Sequence, residues 1–134
     1  MPAPVCHVLI PDRRDRAIPF VVALFETFGL SVKNPHTGRI TTWNDDGTQE
    51  EIAEAQAYQR IAGGHVQNTQ FWKTASDDVF VSWEERADGC MLSIFLDGVS
   101  ADLAAGLVGL FTRSALTTFR EKYGETIVLT FSFQ

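Results

Sequence analysis

The chain has 134 residues, of which 45% are hydrophobic, 11% aromatic and 21% charged, the length of one domain and the composition of a globular protein, which excludes a disordered chain and a second core. Eleven basic against seventeen acidic side chains leave a net charge of −6, so binding nucleic acid through its phosphates is disfavoured. No apolar run approaches the roughly 18 residues of a membrane span, and Met1-Pro2-Ala3-Pro4 does not open a signal peptide; the expectation is a complete, single-domain, cytoplasmic chain.

Val5–Ile10 alternates with Cys6, Val8 and Ile10 on one side and Val5, His7 and Leu9 on the other, and Pro11 ends it, which predicts a first strand. From Ala17 to Phe28 the residues Phe20, Val21, Leu24, Phe25 and Phe28 form a broad apolar face at helical period, with Pro19 in the first turn and Gly29 as the stop. Leu30–Lys33 and Ile40–Trp43 read as short strand pieces flanking the turn formers of Asn34–Gly38. Asn44-Asp45-Asp46-Gly47 is a turn, and Thr48 with Glu51 has the spacing of a capping box. This predicts a polar surface helix over 49–62 with a thin stripe of Ile52, Ala55, Tyr58 or Gln59, and Ala62.

Val79–Arg86 and Cys90–Leu96 alternate as strands around Ala87-Asp88-Gly89, which predicts a hairpin. Ser100 can cap a long helix over Ala101–Tyr123, in which Leu103, Leu107, Leu110, Phe111 and Phe119 recur and Gly106 and Gly109 mark the expected place of a bend. After Gly124, Thr126–Phe133 is a last strand with Ile127, Leu129, Phe131 and Phe133 on one face. With about 30–70 set aside as an inserted hairpin and polar helix, the order is that of an α+β, ferredoxin-like split β-α-β domain. Its two helices cover one face of an antiparallel sheet and leave the other face open.

Little in the chain spells out catalysis. His7, His36 and His65 lie far apart, the adjacent Cys6-His7 pair points to opposite faces of a strand, and no metal-ligand spacing exists. Cys6 and Cys90 sit in apolar runs and read as buried thiols. Gly63-Gly64 lacks the further glycine and lysine of a phosphate-binding loop, and adjacent acids such as Glu84-Glu85 are common on surfaces. A protein that is no enzyme and needs no cofactor or metal is therefore expected.

Charge and aromatics are more pointed. Residues 40–102 carry a net −9, against +2 before and +1 after, and Asp45, Asp46, Glu50, Glu51 and Glu54 have no basic neighbour within 40–59. Trp43 adjoins this stretch, and Phe71-Trp72 precedes Asp77-Asp78, whereas Trp83 belongs to the core. The block Phe71-Trp72, Asp78–Glu85, Gly89, Leu92–Ile94 and Leu96–Ser100 resembles bacterial toxin-immunity proteins, the small cognate inhibitors encoded beside polymorphic or type VI secretion effectors. The resemblance implies a non-enzymatic protein that binds one toxin and blocks its active site.

An acidic surface with tryptophan anchors suits a toxin whose active site is basic because it handles nucleic acid or nucleotides. Trp43, Asp45, Asp46, Glu50, Glu51, Trp72, Asp77 and Asp78 are the expected contact residues. The alternative is a small-molecule-binding or enzymatic domain that uses His7, Ser82, Glu84, Ser93, Thr130 and Ser132 on the open sheet face, and the same face could serve a homodimer.

Overall fold

The computed structural model describes residues 2–126 and 128–134. In chain order the elements are β1 (Pro4–Ile10), α1 (Arg14–Thr27), β2 (Ile40–Trp43), β3 (Gln49–Ile52), α2 (Glu54–Ala62) and β4 (Asn68–Trp72). Then come β5 (Asp78–Arg86), β6 (Gly89–Phe95), α3 (Ala101–Leu116), α4 (Thr118–Tyr123) and β7 (Val128–Phe133). Five strands form one antiparallel sheet in the order β4-β5-β6-β1-β7, and β2 and β3 form a separate two-stranded sheet. The chain is thus α+β as expected. The order β5-β6-β1-β7, with α1 and α3 as crossovers, has the connectivity of a split β-α-β unit to which β4 is added; the likeness is one of connectivity.

Helices cover one face of the large sheet because one side of every strand is apolar. Cys6, Val8 and Ile10 on β1, Val79, Val81 and Trp83 on β5, and Cys90, Leu92 and Ile94 on β6 are buried beneath Ile18, Val21, Val22 and Phe25 of α1 and Leu107 and Phe111 of α3. Phe25 is the hub of this core: its ring meets Phe71 of β4 edge-on at 4.2 Å between centroids and Phe111 of α3 at 5.6 Å. Ser100 caps α3, its hydroxyl accepting from the Leu103 N–H at 3.2 Å. Arg14, at the start of α1, donates to the last carbonyls of α2, Ile61 and Ala62, and pairs with Glu85 of β5.

Several expectations are corrected. The spacing of Thr48 and Glu51 is not a capping box. Gln49–Ile52 is a strand paired with Ile40–Trp43, because burying Ile40 against Ile52, directly opposite in the register, outweighs the helix preference of a polar stretch. The helix begins only at Glu54, and its buried stripe is Ala57 and Ile61, not Ala55 and Ala62. Leu30–Lys33 forms no strand but single bridges, Ser31 to Trp72 and Lys33 to Ile40.

Asn68–Trp72, to which the sequence pattern assigns no element, is an edge strand of the sheet, with Thr69 and Phe71 turned inward. α1 starts at Arg14, so Pro19 lies beyond the first turn; it is exposed, and the carbonyl its missing N–H leaves free belongs to exposed Asp15. Leu24, expected in the core, is half-buried at its margin. The long helix breaks at Thr117 (φ −126°, ψ −91°) and not at its glycines. Gly106 instead lets the tip of the Phe28 ring approach α3 closely, since a Cβ there would stand 2.7 Å from its Cζ. The expected place of Ile127 lies outside the described residues.

Candidate functional site

The structure divides the expected contact residues into two groups at opposite ends of β4. At one end stands the β2–β3 hairpin. Its turn projects Asp45 and Asp46 into solvent, and Trp43, the last residue of β2, is half-buried beside them. One side chain from β4 does much to hold the hairpin in place. The Asn68 amide accepts from the Trp43 N–H at 2.7 Å and donates to the Trp43 carbonyl at 2.9 Å, imitating a peptide group, while the Thr42 hydroxyl donates to the Asn68 carbonyl at 2.8 Å. Asp46 accepts from the Thr48 N–H at 3.0 Å, and hydrogen bonding from the Thr48 side chain and then from this N–H holds its carboxyl below the usual carboxylate range. Trp43, Asn44, Asp45, Gly64, His65, Gln67 and Asn68 line a polar recess of about 320 Å³.

The acids of this region are not all alike. Glu50 receives a two-pronged contact from Arg60 at 2.7 and 3.1 Å, which lowers its pKa, and Glu54 pairs with Lys33 at 2.7 Å. Neither partner was visible in the local sequence, because Lys33 lies upstream of the stretch and Arg60 just past it. Among the described residues no cation stands within ion-pair distance of Asp45, Asp46 or Glu51. The hairpin turn therefore carries two adjacent carboxylates without a cation partner among the described residues.

At the other end of β4, Trp72 is a built-in part of the sheet. It pairs with Asp78 of β5 on one side, and on the other it exchanges both backbone hydrogen bonds with Ser31, at 2.7 and 2.9 Å. Its indole N–H is buried without a hydrogen-bond partner. Asp78 accepts from the Gln70 amide at 2.6 Å, and exposed Asp77 shapes the β4–β5 turn with Thr74. This cluster reads as local architecture more than as an anchor with an acidic rim.

The open face of the large sheet brings the alternative set together. Register aligns Thr130, His7, Ser93, Ser82 and Asn68 in one polar row across all five strands. Flanking it are Val128, Leu9, Met91 and Glu84 on one side and Ser132, Val5, Phe95, Phe80 and Gln70 on the other, with the Phe80 and Phe95 rings 5.7 Å apart. Over His7 lies a depression of about 430 Å³, which Ser82, Glu84, Arg86, Met91, Ser93 and Thr130 help to line. Ser132 shares the face but lies outside the depression.

Both ring nitrogens of His7 are engaged. The Gln134 amide nitrogen reaches His7 Nε2 at 2.8 Å and also donates to the Ser132 hydroxyl at 3.2 Å. On the other side of the ring, Nδ1 lies 3.0 Å from Ser93 Oγ. Gln134 escaped the sequence reading because it follows the last strand.

Burial pushes the Cys6 thiol up to about 11 and the Cys90 thiol to about 12, the latter with help from the Glu85 charge. Both are free and protonated at neutral pH. Among the described residues no three His, Cys, Asp or Glu side chains gather as metal ligands would, and no helix is long and apolar enough to cross a membrane. Compared with known proteins, the chain matches no family model, no curated sequence and no solved structure.

Proposed function

We propose that this protein acts by binding a second protein, as the inhibitor of a bacterial toxin whose active site is basic because it handles a nucleic acid or nucleotide. One observation carries the reading. The carboxylates of Asp45 and Asp46 stand unpaired at an exposed turn beside Trp43, while the neighbouring Glu50 and Glu54 are neutralised by Arg60 and Lys33. A paired negative tip of this kind can occupy a cradle made for phosphates. Long-range attraction would speed the encounter, and the indole would supply the apolar contact that slows release. Trp72, Asp77 and Asp78 lie outside this contact, at the far end of β4. The likeness of residues 71–100 to immunity proteins points to the same class of function.

The test is affinity purification from the native host with the wild type and with the double variant Asp45→Lys, Asp46→Lys. The expected outcome is that the wild type retains one protein and suppresses its activity on nucleic acid or nucleotide, while the double variant associates at least tenfold more slowly at low salt. Equal retention by both, or suppression independent of the variant, would remove the hairpin from the interface. A second reading, a small-molecule site on the open face, is favoured by the depression over His7. Amide shifts confined to His7, Ser93 and Thr130 on adding a ligand library would support it in place of the first.

A further inference from the structure

The two edges of the large sheet are finished differently. On β4 the outward backbone is covered, by Ser31 against Trp72 and by Thr42 against Asn68. On β7 no described residue covers it. Ala3 and Gln134 exchange both backbone bonds, at 2.6 and 2.8 Å, and antiparallel pairing alternates from there, so Ser132 and Thr130 face β1 while Phe133, Phe131 and Leu129 turn their N–H and C=O groups outward. Proteins blunt such edges with lysine, proline, bulges or a covering segment. Val128–Phe133 reads Val-Leu-Thr-Phe-Ser-Phe, with neither charge nor proline, and Phe131 and Phe133 are 50% and 66% exposed.

We propose that the occupant of this edge is a second copy of the chain, paired antiparallel through β7 about a two-fold axis at Phe131, to give a continuous ten-stranded sheet. The inference is independent of the inhibitor reading. That axis is the one that engages all three outward residues, setting Phe131 opposite its own copy and Leu129 opposite Phe133. On the other face Thr130 meets Ser132, so each cross-strand pair within Leu129–Phe133 joins like chemistry. Phe131 and Phe133 also wall an apolar groove of about 580 Å³ whose other side is Ala101, Ala104, Ala105 and Val108 of α3. Four phenylalanine rings at these exposures would bury roughly 450 Å², more than a quarter of a standard interface, before the strand edges and α3 flanks are added.

Charge favours the same arrangement. Each copy carries −6, a repulsion that opposes random contact, yet the pairing strand is neutral. The acidic hairpins sit beyond β4 in each copy, nine strand spacings apart or about 43 Å, several times the screening length at physiological salt.

Sedimentation equilibrium from micromolar to near-millimolar protein tests the proposal. The expected mass rises from 14.9 kDa toward twice that value. Phe131→Lys, which brings two cations together at the axis, should hold the mass at the monomer value, as should Phe133→Pro, which removes an outward N–H without touching the bonds to β1. Far-UV circular dichroism should show both variants folded. An equimolar mixture of Phe131→Lys and Phe131→Glu, each monomeric alone, should regain the dimer mass, an outcome specific to residues that face their own copies. A wild type that stays monomeric throughout, a dimer undisturbed by Phe131→Lys, or a mixture that fails to recombine would overturn the proposal.

Discussion

Replacing Phe71 with alanine asks whether β4 belongs to the core or decorates a sheet already complete without it. The side chain is fully buried, and its ring meets Phe25 edge-on at 4.2 Å, while Phe25 in turn meets Phe111 of α3 at 5.6 Å. A buried phenylalanine truncated to alanine costs about 3–5 kcal/mol, and an edge-to-face pair contributes about 0.5–1.5 kcal/mol within that loss. Against a typical domain stability of about 5–15 kcal/mol, a loss near 4 kcal/mol should be plain in urea unfolding followed by circular dichroism. With a slope near 2 kcal/mol per molar urea, the midpoint should fall by about 2 M. The double variant with Phe25→Ala should lose less than the sum of the single losses, by about 1 kcal/mol, the coupling expected of one shared contact. A cost below about 1 kcal/mol for Phe71→Ala, with Phe25→Ala still costing the full amount, would refute the reasoning and leave β4 outside the cooperative core.

Gly89→Ala should be the harshest single methyl in the protein. Gly89 has φ +146°, and an added Cβ would stand 2.2 Å from the Ile10 carbonyl oxygen and 2.7 Å from Pro11 Cα, both backbone atoms that cannot swing away. A loss above about 2 kcal/mol, or at least about 8 °C in melting temperature, is expected, and an unchanged melting curve would contradict the close approach of β6 to the end of β1. The thiols make a chemical prediction: a disulfide reagent at pH 8 should label neither Cys6 nor Cys90 in the native protein and both in denaturant. They also set an alkaline limit. Their folded pKa values of about 11 and about 12 exceed the unfolded value of 9.0, so above pH 9 the unfolded chain releases protons that the native state retains. Stability is therefore complete below about pH 9 and falls as pH rises toward the folded values, with Tyr123, raised from 10.0 to about 12, adding in the same direction. Urea midpoints that do not fall between pH 8 and 10.5 would contradict that burial.

What could be read from the residues follows the strength of local pattern. Val79–Trp83 and Cys90–Ile94 alternate cleanly because one side faces the helices and the other does not, and their hairpin was legible from the sequence. Thr69 and Phe71 carry the same alternation in β4, but five residues with asparagine and glutamine between them give too short a signal to stand out from a polar stretch. Gln49–Ile52 was misread for a different reason: its pairing with Ile40–Trp43 is a tertiary fact, and the capping-box spacing is satisfied by many polar segments that are not helix starts. Period-two alternation put His7, Ser82, Ser93 and Thr130 on one face, yet only the register shows that they form a single row. The hairpin acids were legible as charge. Which of them is neutralised was not, since Arg60 meets Glu50 only after the chain has turned through β3 and α2.

The position of β1 shapes how the chain can acquire this structure as it is made. β1 is synthesised first and lies near the middle of the sheet, but its two neighbours are β6, which begins at Gly89, and β7, which begins at Val128. Until the ribosome has passed residue 95 the first strand has no strand to pair with, and its second edge stays bare until residues 128–133 emerge. Early translation can complete the β2–β3 hairpin and α2 from local contacts, and then the β4–β5 pair, whereas the sheet closes late, around a strand that has waited longest. An apolar strand held open for that interval is a natural client for a chaperone at the exit tunnel. A rare-codon pause after β6 and one before it should therefore differ in yield, because only the first gives β1 a partner while it waits.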